Sequence, residues 1–154
     1  MSFRTTAILS LFLTAPLLAP PSFAGTWVLN PAKSRNLGMM ARMADTVTIN
    51  QSSEALVVRD DSEMNGSKMS RVTRYDLTGK SVANTSPTGD PAHTVSHWDG
   101  AQLVTTWETE GSVAGSVHRR TERRYLSQDG RTLFEVSETA PGDPKALMLV
   151  FDRR

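Results

Sequence analysis

The side chains best equipped for chemistry in this chain are two tryptophans, a histidine and a run of arginines between residues 98 and 125. The Asp99-Gly100 step suits a two-residue hairpin whose central positions take positive φ. That turn is expected to pair Trp98 with Ala101, Ser96 with Leu103 and Ala92 with Trp107. A turn at Glu110-Gly111 would pair Trp107 with Ala114 and Leu103 with His118. Trp98, Leu103, Trp107, Ala114 and His118 then share one strand face, because side chains alternate across a strand. The face is aromatic, with small residues opposite large ones, and reads as an interior. Indoles beside small side chains leave room for an apolar ligand, and His118 offers it a polar contact. The same residues also suit a closed core with no ligand.

The arginine run is Arg119-Arg120-Thr121-Glu122-Arg123-Arg124-Tyr125. With Gln128-Asp129-Gly130 as a three-residue loop, Arg123 faces Glu135 and Arg120 faces Glu138. Such cross-strand pairs contribute a few tenths of a kcal/mol. An inward Arg120 would instead fork a ligand carboxylate, and Phe134 on the next strand is counted with the same ligand set. Which face of strand 113–126 turns inward stays open.

Other chemistry is poorly supplied. His93 and His97 lie four residues apart, about 13 Å along a strand, too far to share an ion with ligand distances near 2 Å. The chain has no Cys, which removes thiolate nucleophiles, thiolate metal sites and disulfides. Met39, Met40 and Met43 fall at one-turn helical spacing and read as apolar gap-fillers rather than a Cu(I) site. No metal, cofactor or catalytic residue is expected. An enzyme is the least supported reading; a buried His118 beside Glu122 or Glu138 would revive it.

The elements that must position these residues are short strands. β-rich runs recur near 26–30, 45–51, 55–60, 67–77, 80–85, 92–98, 101–109, 113–126, 131–138 and 145–153. Turn chemistry separates them: Asn65-Gly66, Asp99-Gly100, Glu110-Gly111, Gln128-Asp129-Gly130, and two longer Pro/Gly connections at 87–91 and 141–144. Hairpin following hairpin predicts an all-β, antiparallel up-and-down meander. Closure into a barrel of about 8–10 strands is the simplest way to remove its edges. The segment 31–45 is poor strand material, and a short helix or loop there would cap one end. Arg119-Arg120 and Arg123-Arg124 charge both faces of one strand, which argues against an outer-membrane barrel.

Residues 1–24 have the form of a secretory signal peptide. Arg4 precedes an apolar stretch from Ala7 to Leu18, and Ser22-Phe23-Ala24 offers small residues for cleavage after Ala24. The stretch is about twelve residues, short of the ~20 that span a bilayer. The expected product is a single 130-residue domain, 25–154, that is periplasmic or secreted. Removing the leader takes one of 17 basic residues and none of the 16 acids, so the domain is formally neutral. Neutrality argues against an electrostatic nucleic-acid binder.

In a closed barrel the first and last strands must pair. Trp27 and Leu29 share a face, as do Leu147, Leu149, Phe151 and Arg153. Arg153 is therefore expected to lie over the Trp27 indole and seal one end. With Gly25-Thr26-Trp27 at the domain start, the meander and Arg153 on the last strand, the chain resembles the calycin group, which includes lipocalins and fatty-acid-binding proteins. The resemblance implies a cup for a small, often lipophilic molecule. Arg123-x-Tyr125 is similar to the carboxylate-binding Arg-x-Tyr of fatty-acid-binding proteins. It sits two strands too early for that role to be carried over. Two functions remain open: a carrier of a small apolar ligand, or a cell-envelope interaction module with a filled barrel.

Overall fold

The computed structural model describes residues 19–154. Arg4 and the stretch Ala7–Leu18, on which the leader reading mainly rests, lie outside the described residues. Ten strands follow in order: β1 (Gly25–Leu29), β2 (Ala44–Gln51), β3 (Ala55–Met64), β4 (Ser67–Asp76), β5 (Val82–Thr85), β6 (Pro91–Asp99), β7 (Gln102–Glu110), β8 (Val117–Leu126), β9 (Thr132–Glu138) and β10 (Leu147–Arg153). All pairings are antiparallel, in the order β4-β3-β2-β1-β10-β9-β8-β7-β6-β5. Every neighbour but one is sequential. The exception joins β1 to β10 and turns the meander into a nearly closed barrel.

The remaining seam lies between β4 and β5, which form no ladder. One side chain stitches it. Asn84 on β5 donates to the Arg74 carbonyl at 2.8 Å and accepts from the Arg74 N–H at 3.2 Å. Its amide thus replaces one rung of the missing ladder.

Burial alternates along the strands as a one-sided sheet requires. Val47 and Ile49 on β2 are buried, and so are Ala92, Thr94 and Ser96 on β6, while their neighbours face outward. The segment expected as a helix or loop holds only a 3-10 turn, Gly38–Arg42. Met40 and Met43 pack against the core from there, but Met39 is 83% exposed. Among the described residues no helix is long and apolar enough to cross a membrane.

The turns set the register, and three differ from expectation. At Asp99-Gly100 only Gly100 has positive φ, at 59°. The two-residue loop is therefore Gly100-Ala101, and Trp98 pairs with Leu103. The β7–β8 connection is six residues, Gly111–Ser116, closed by Gly111 N–H to the Ser116 carbonyl at 2.9 Å. Ala114 thus sits in a loop, and Trp107 pairs with Arg120. Both corrections move pairs by an even number, so the faces survive. The β8–β9 loop is four residues rather than three, because Ser127 N–H bonds the Thr132 carbonyl at 2.8 Å. That odd shift exchanges the faces of β9. Arg123 pairs with Val136 and Thr121 with Glu138, and Phe134 falls opposite Tyr125 on the outside.

Strand directions give the barrel two unlike ends. At one end lie the Asp99–Gln102 and Ser127–Thr132 turns and the Phe23–Gly25 segment. Phe23, Trp27, Leu103, Leu133 and Phe151 pack there, each 2% exposed or less. Arg153 stacks over Trp27 with its guanidinium carbon 4.5 Å from the ring centroid. At the other end lie the longer connections 30–43, 86–90, 111–116 and 139–146.

Candidate functional site

The open end carries a cavity of about 640 Å³ between the 86–90 and 111–116 connections. Trp107, 3% exposed, lines it together with the apolar Pro87 and Val117, and Thr109, His118 and Arg120 reach it from β7 and β8. Ser86, Thr88, Ser112 and Ser116 ring it with hydroxyls, and Asp90 and Glu110 add negative charge. Arg120 lies over Trp107, its guanidinium carbon 5.2 Å from the ring centroid. The indole thus holds the cation at the cavity wall. The loop on the β5–β6 side is built by its own side chains. Ser86 Oγ accepts from the Thr88 and Asp90 amides at 3.3 and 3.1 Å, and Thr88 donates to Asp90 at 2.6 Å.

Beneath Trp107 the barrel interior turns polar. The indole Nε1 donates to Glu122 at 3.1 Å, and Tyr75 Oη donates to the other Glu122 oxygen at 3.2 Å. Arg124 Nη2 contacts Glu122 at 3.1 Å and Glu135 at 2.6 Å. Its guanidinium also lies over the Tyr75 ring at 4.9 Å. Glu122 and Arg124 are 4% and 2% exposed. Burial pushes the Glu122 carboxyl up, and the charge of Glu135 adds to this; Arg124 and Arg120 pull the other way. Burial alone would lower the Arg124 guanidinium, but Glu135, Tyr75 and Glu122 carry it well above its usual range. Arg124 Nε and Nη1 are buried and find no partner among the described residues, and the same holds for Ser137 Oγ.

A second interior group comes from β2, β3 and β4. Asp60 pairs with Arg71 at 3.1 Å, and Asp45 sits beside them, 4% exposed. Burial, then the neighbouring Asp60, pushes Asp45 up to about 8. Its Oδ1 has no partner among the described residues. Asp45 is therefore mainly neutral at pH 7.

Of the residues marked by sequence, the cavity brings together Trp107, His118 and Arg120. Trp98 and Leu103 share their interior face but lie at the closed end. There Trp98 stacks on Phe23 with centroids 5.6 Å apart. Phe134 stacks on Tyr125 outside the barrel, with centroids 4.9 Å apart. His93 and His97 are exposed on the outer face. Arg123 pairs with Glu138 outside, while Arg124 takes Glu135 inside. Among the described residues no group of three or more His, Asp or Glu is placed to hold a metal ion.

Sequence reasoning missed Tyr75, Arg124 and Asp45, and it named Glu122 only as a partner for His118, whereas Glu122 takes Trp107 and Tyr75 and His118 is exposed. The β8 members were legible: with His118 inward, period-2 alternation also turns Arg120, Glu122 and Arg124 inward. Asp45 and Tyr75 carried no comparable signal, because their faces follow from pairing with distant strands.

The architecture is a ten-stranded antiparallel meander curled into a nearly closed barrel, and solved structures share this fold. One similar solved structure is the REP1-NXSQ fatty acid transporter, with TM-score 0.63 and 13% identity over 85% of this chain and 95% of that one. Human cRBP IV matches with TM-score 0.62 and 15% identity, covering 88% of this chain and 100% of that one. Apo Caenorhabditis elegans lipid binding protein 8 matches with TM-score 0.61 and 10% identity, over 86% and 95%. At these identities the likeness is one of fold. No protein-family model matches the sequence, and no curated protein sequence matches it.

Proposed function

We propose that this chain is an exported binding or carrier protein for a small lipophilic molecule with a polar end. The observation that carries the reading is the cavity of about 640 Å³ that reaches Trp107 at the open end. That volume lies within the range of small-molecule sites. The apolar part of the ligand lies on the Trp107 indole. Its polar end meets Arg120 and the hydroxyl ring of Ser86, Thr88, Ser112 and Ser116. The names of the fold neighbours, a fatty acid transporter and a lipid binding protein among them, support a lipophilic cargo.

Titration with a fluorescent fatty-acid analogue tests this. Saturable binding that weakens at least ~10-fold in Trp107→Ala, about 1.4 kcal/mol, is the expected result. A flat titration with the unaltered protein would favour the other reading, an envelope module that binds no ligand. The packed closed end is the observation that favours that alternative.

A further inference from the structure

The sequence places leader cleavage after Ala24, yet the fold runs through that bond. Phe23 is fully buried and stacks on Trp98, with centroids 5.6 Å apart and planes at 24°. Its carbonyl accepts from the buried Trp27 Nε1 at 2.9 Å. Its N–H donates to Gln51 Oε1 at 2.8 Å, and Gln51 Nε2 donates to the Pro21 carbonyl at 3.1 Å. The Ala24 carbonyl accepts from Arg153 Nη2 at 3.3 Å.

A cut between Ala24 and Gly25 would undo all of these contacts. It would strip the acceptor from the Trp27 indole N–H, which is buried in the intact fold, and a lost partner there is costly unless water replaces it. It would also empty a phenyl-sized space beside Trp98. The new ammonium of Gly25 would stand beside the Arg153 guanidinium, whose central carbon lies 3.8 Å from where a Gly25 Cβ would be. Like charges would then meet where a carbonyl now accepts.

Upstream the situation reverses. Ala19, Pro20 and Ser22 are exposed, and Ala19 and Ser22 supply small residues. A cut after Ser22 would turn the Phe23 N–H into an ammonium that still donates to Gln51.

We propose that the exported protein keeps Phe23 and Ala24: the leader is cleaved within Ala19–Phe23, and Phe23 remains as the plug of the closed end. The proposal rests on the export reading, and the experiment separates the two. The full chain is expressed in a Gram-negative host, and the periplasmic protein is read by intact mass and N-terminal sequencing. An N-terminus between Pro20 and Phe23 is expected. An N-terminus at Gly25 would overturn the proposal while leaving export intact. Uncleaved chain confined to the cytosol would overturn export and this proposal together. In the same preparation Phe23→Leu should lower the thermal midpoint and red-shift tryptophan emission. An unchanged midpoint and spectrum would overturn the plug role even if Phe23 is retained.

Discussion

The two ends of the barrel solve opposite problems with the same alternating strands. At the closed end, Phe23, Trp27, Trp98, Leu103, Leu133 and Phe151 fill the interior, and Arg153 covers it from the rim. From the level of Leu103, which pairs with Arg124, toward the open end, inward positions also carry Asp45, Asp60, Arg71, Arg120, Glu122, Arg124 and Glu135, beside the apolar Leu29, Leu37 and Leu149. A filled apolar end stabilises by removing surface from water. A charged interior contributes little net stability, because desolvation offsets much of the attraction. The difference implies a division of labour: the closed end holds the fold, and the open end is free to specialise in binding.

Mutations at the two ends should therefore separate stability from binding. The largest effect is expected at the closed end. Trp27→Ala leaves a cavity and frees Arg153, and should cost about 3–5 kcal/mol in urea unfolding. A loss below ~1 kcal/mol would mean that this end is not the mainstay of the fold.

Arg124→Met comes next, because it leaves Glu122 and Glu135 buried without their cation. Removing one partner of a buried network typically costs about 3–5 kcal/mol. The loss should shrink as pH falls and Glu122, whose carboxyl burial pushes up, takes a proton; a pH-independent loss would contradict the network.

Asp45→Asn should act in the other direction. The Asp45 pKa is raised in the fold, so folding takes up a proton between about 4 and 8. Stability from this group is present at low pH and is lost as pH rises through that window. The Asn variant should flatten the decline and gain at least ~1 kcal/mol at pH 8. Parallel stability curves for the two proteins would remove Asp45 as the cause.

The smallest stability effect is expected for Arg120→Ala, within about 1 kcal/mol, since Arg120 contributes a partly exposed stacking contact. Its effect should fall on ligand affinity instead. Equal affinity for a fatty-acid analogue in both proteins would sink the role given to this cation.

The fold was largely legible because alternation and turn chemistry are local. Asn65-Gly66 forms its two-residue turn with both residues at positive φ, as that dipeptide requires. The pairing of Trp27 with Arg153 follows from barrel closure. The site was legible only as far as loop lengths were. Trp107, His118 and Arg120 kept their face because the errors in the turns before β7 and β8 were even. Phe134 changed face because one extra residue in the Gln128–Arg131 loop is odd. Whether the loop holds three or four residues depends on whether Ser127 closes the ladder onto Arg131 or onto Thr132, and both fit the local sequence. Phe23 was hidden for another reason: its neighbours also read as a leader, and only packing against Trp98 reveals its second role.

The most direct test of the account maps where a ligand binds. Backbone amide shifts recorded during titration with a fatty-acid analogue should move at Trp107, Thr109, His118 and Arg120 and in the 86–90 and 111–116 connections. Trp27, Trp98 and Leu103 should stay still. Saturable shifts centred on the closed end, or none anywhere, would contradict a binding site at the open end.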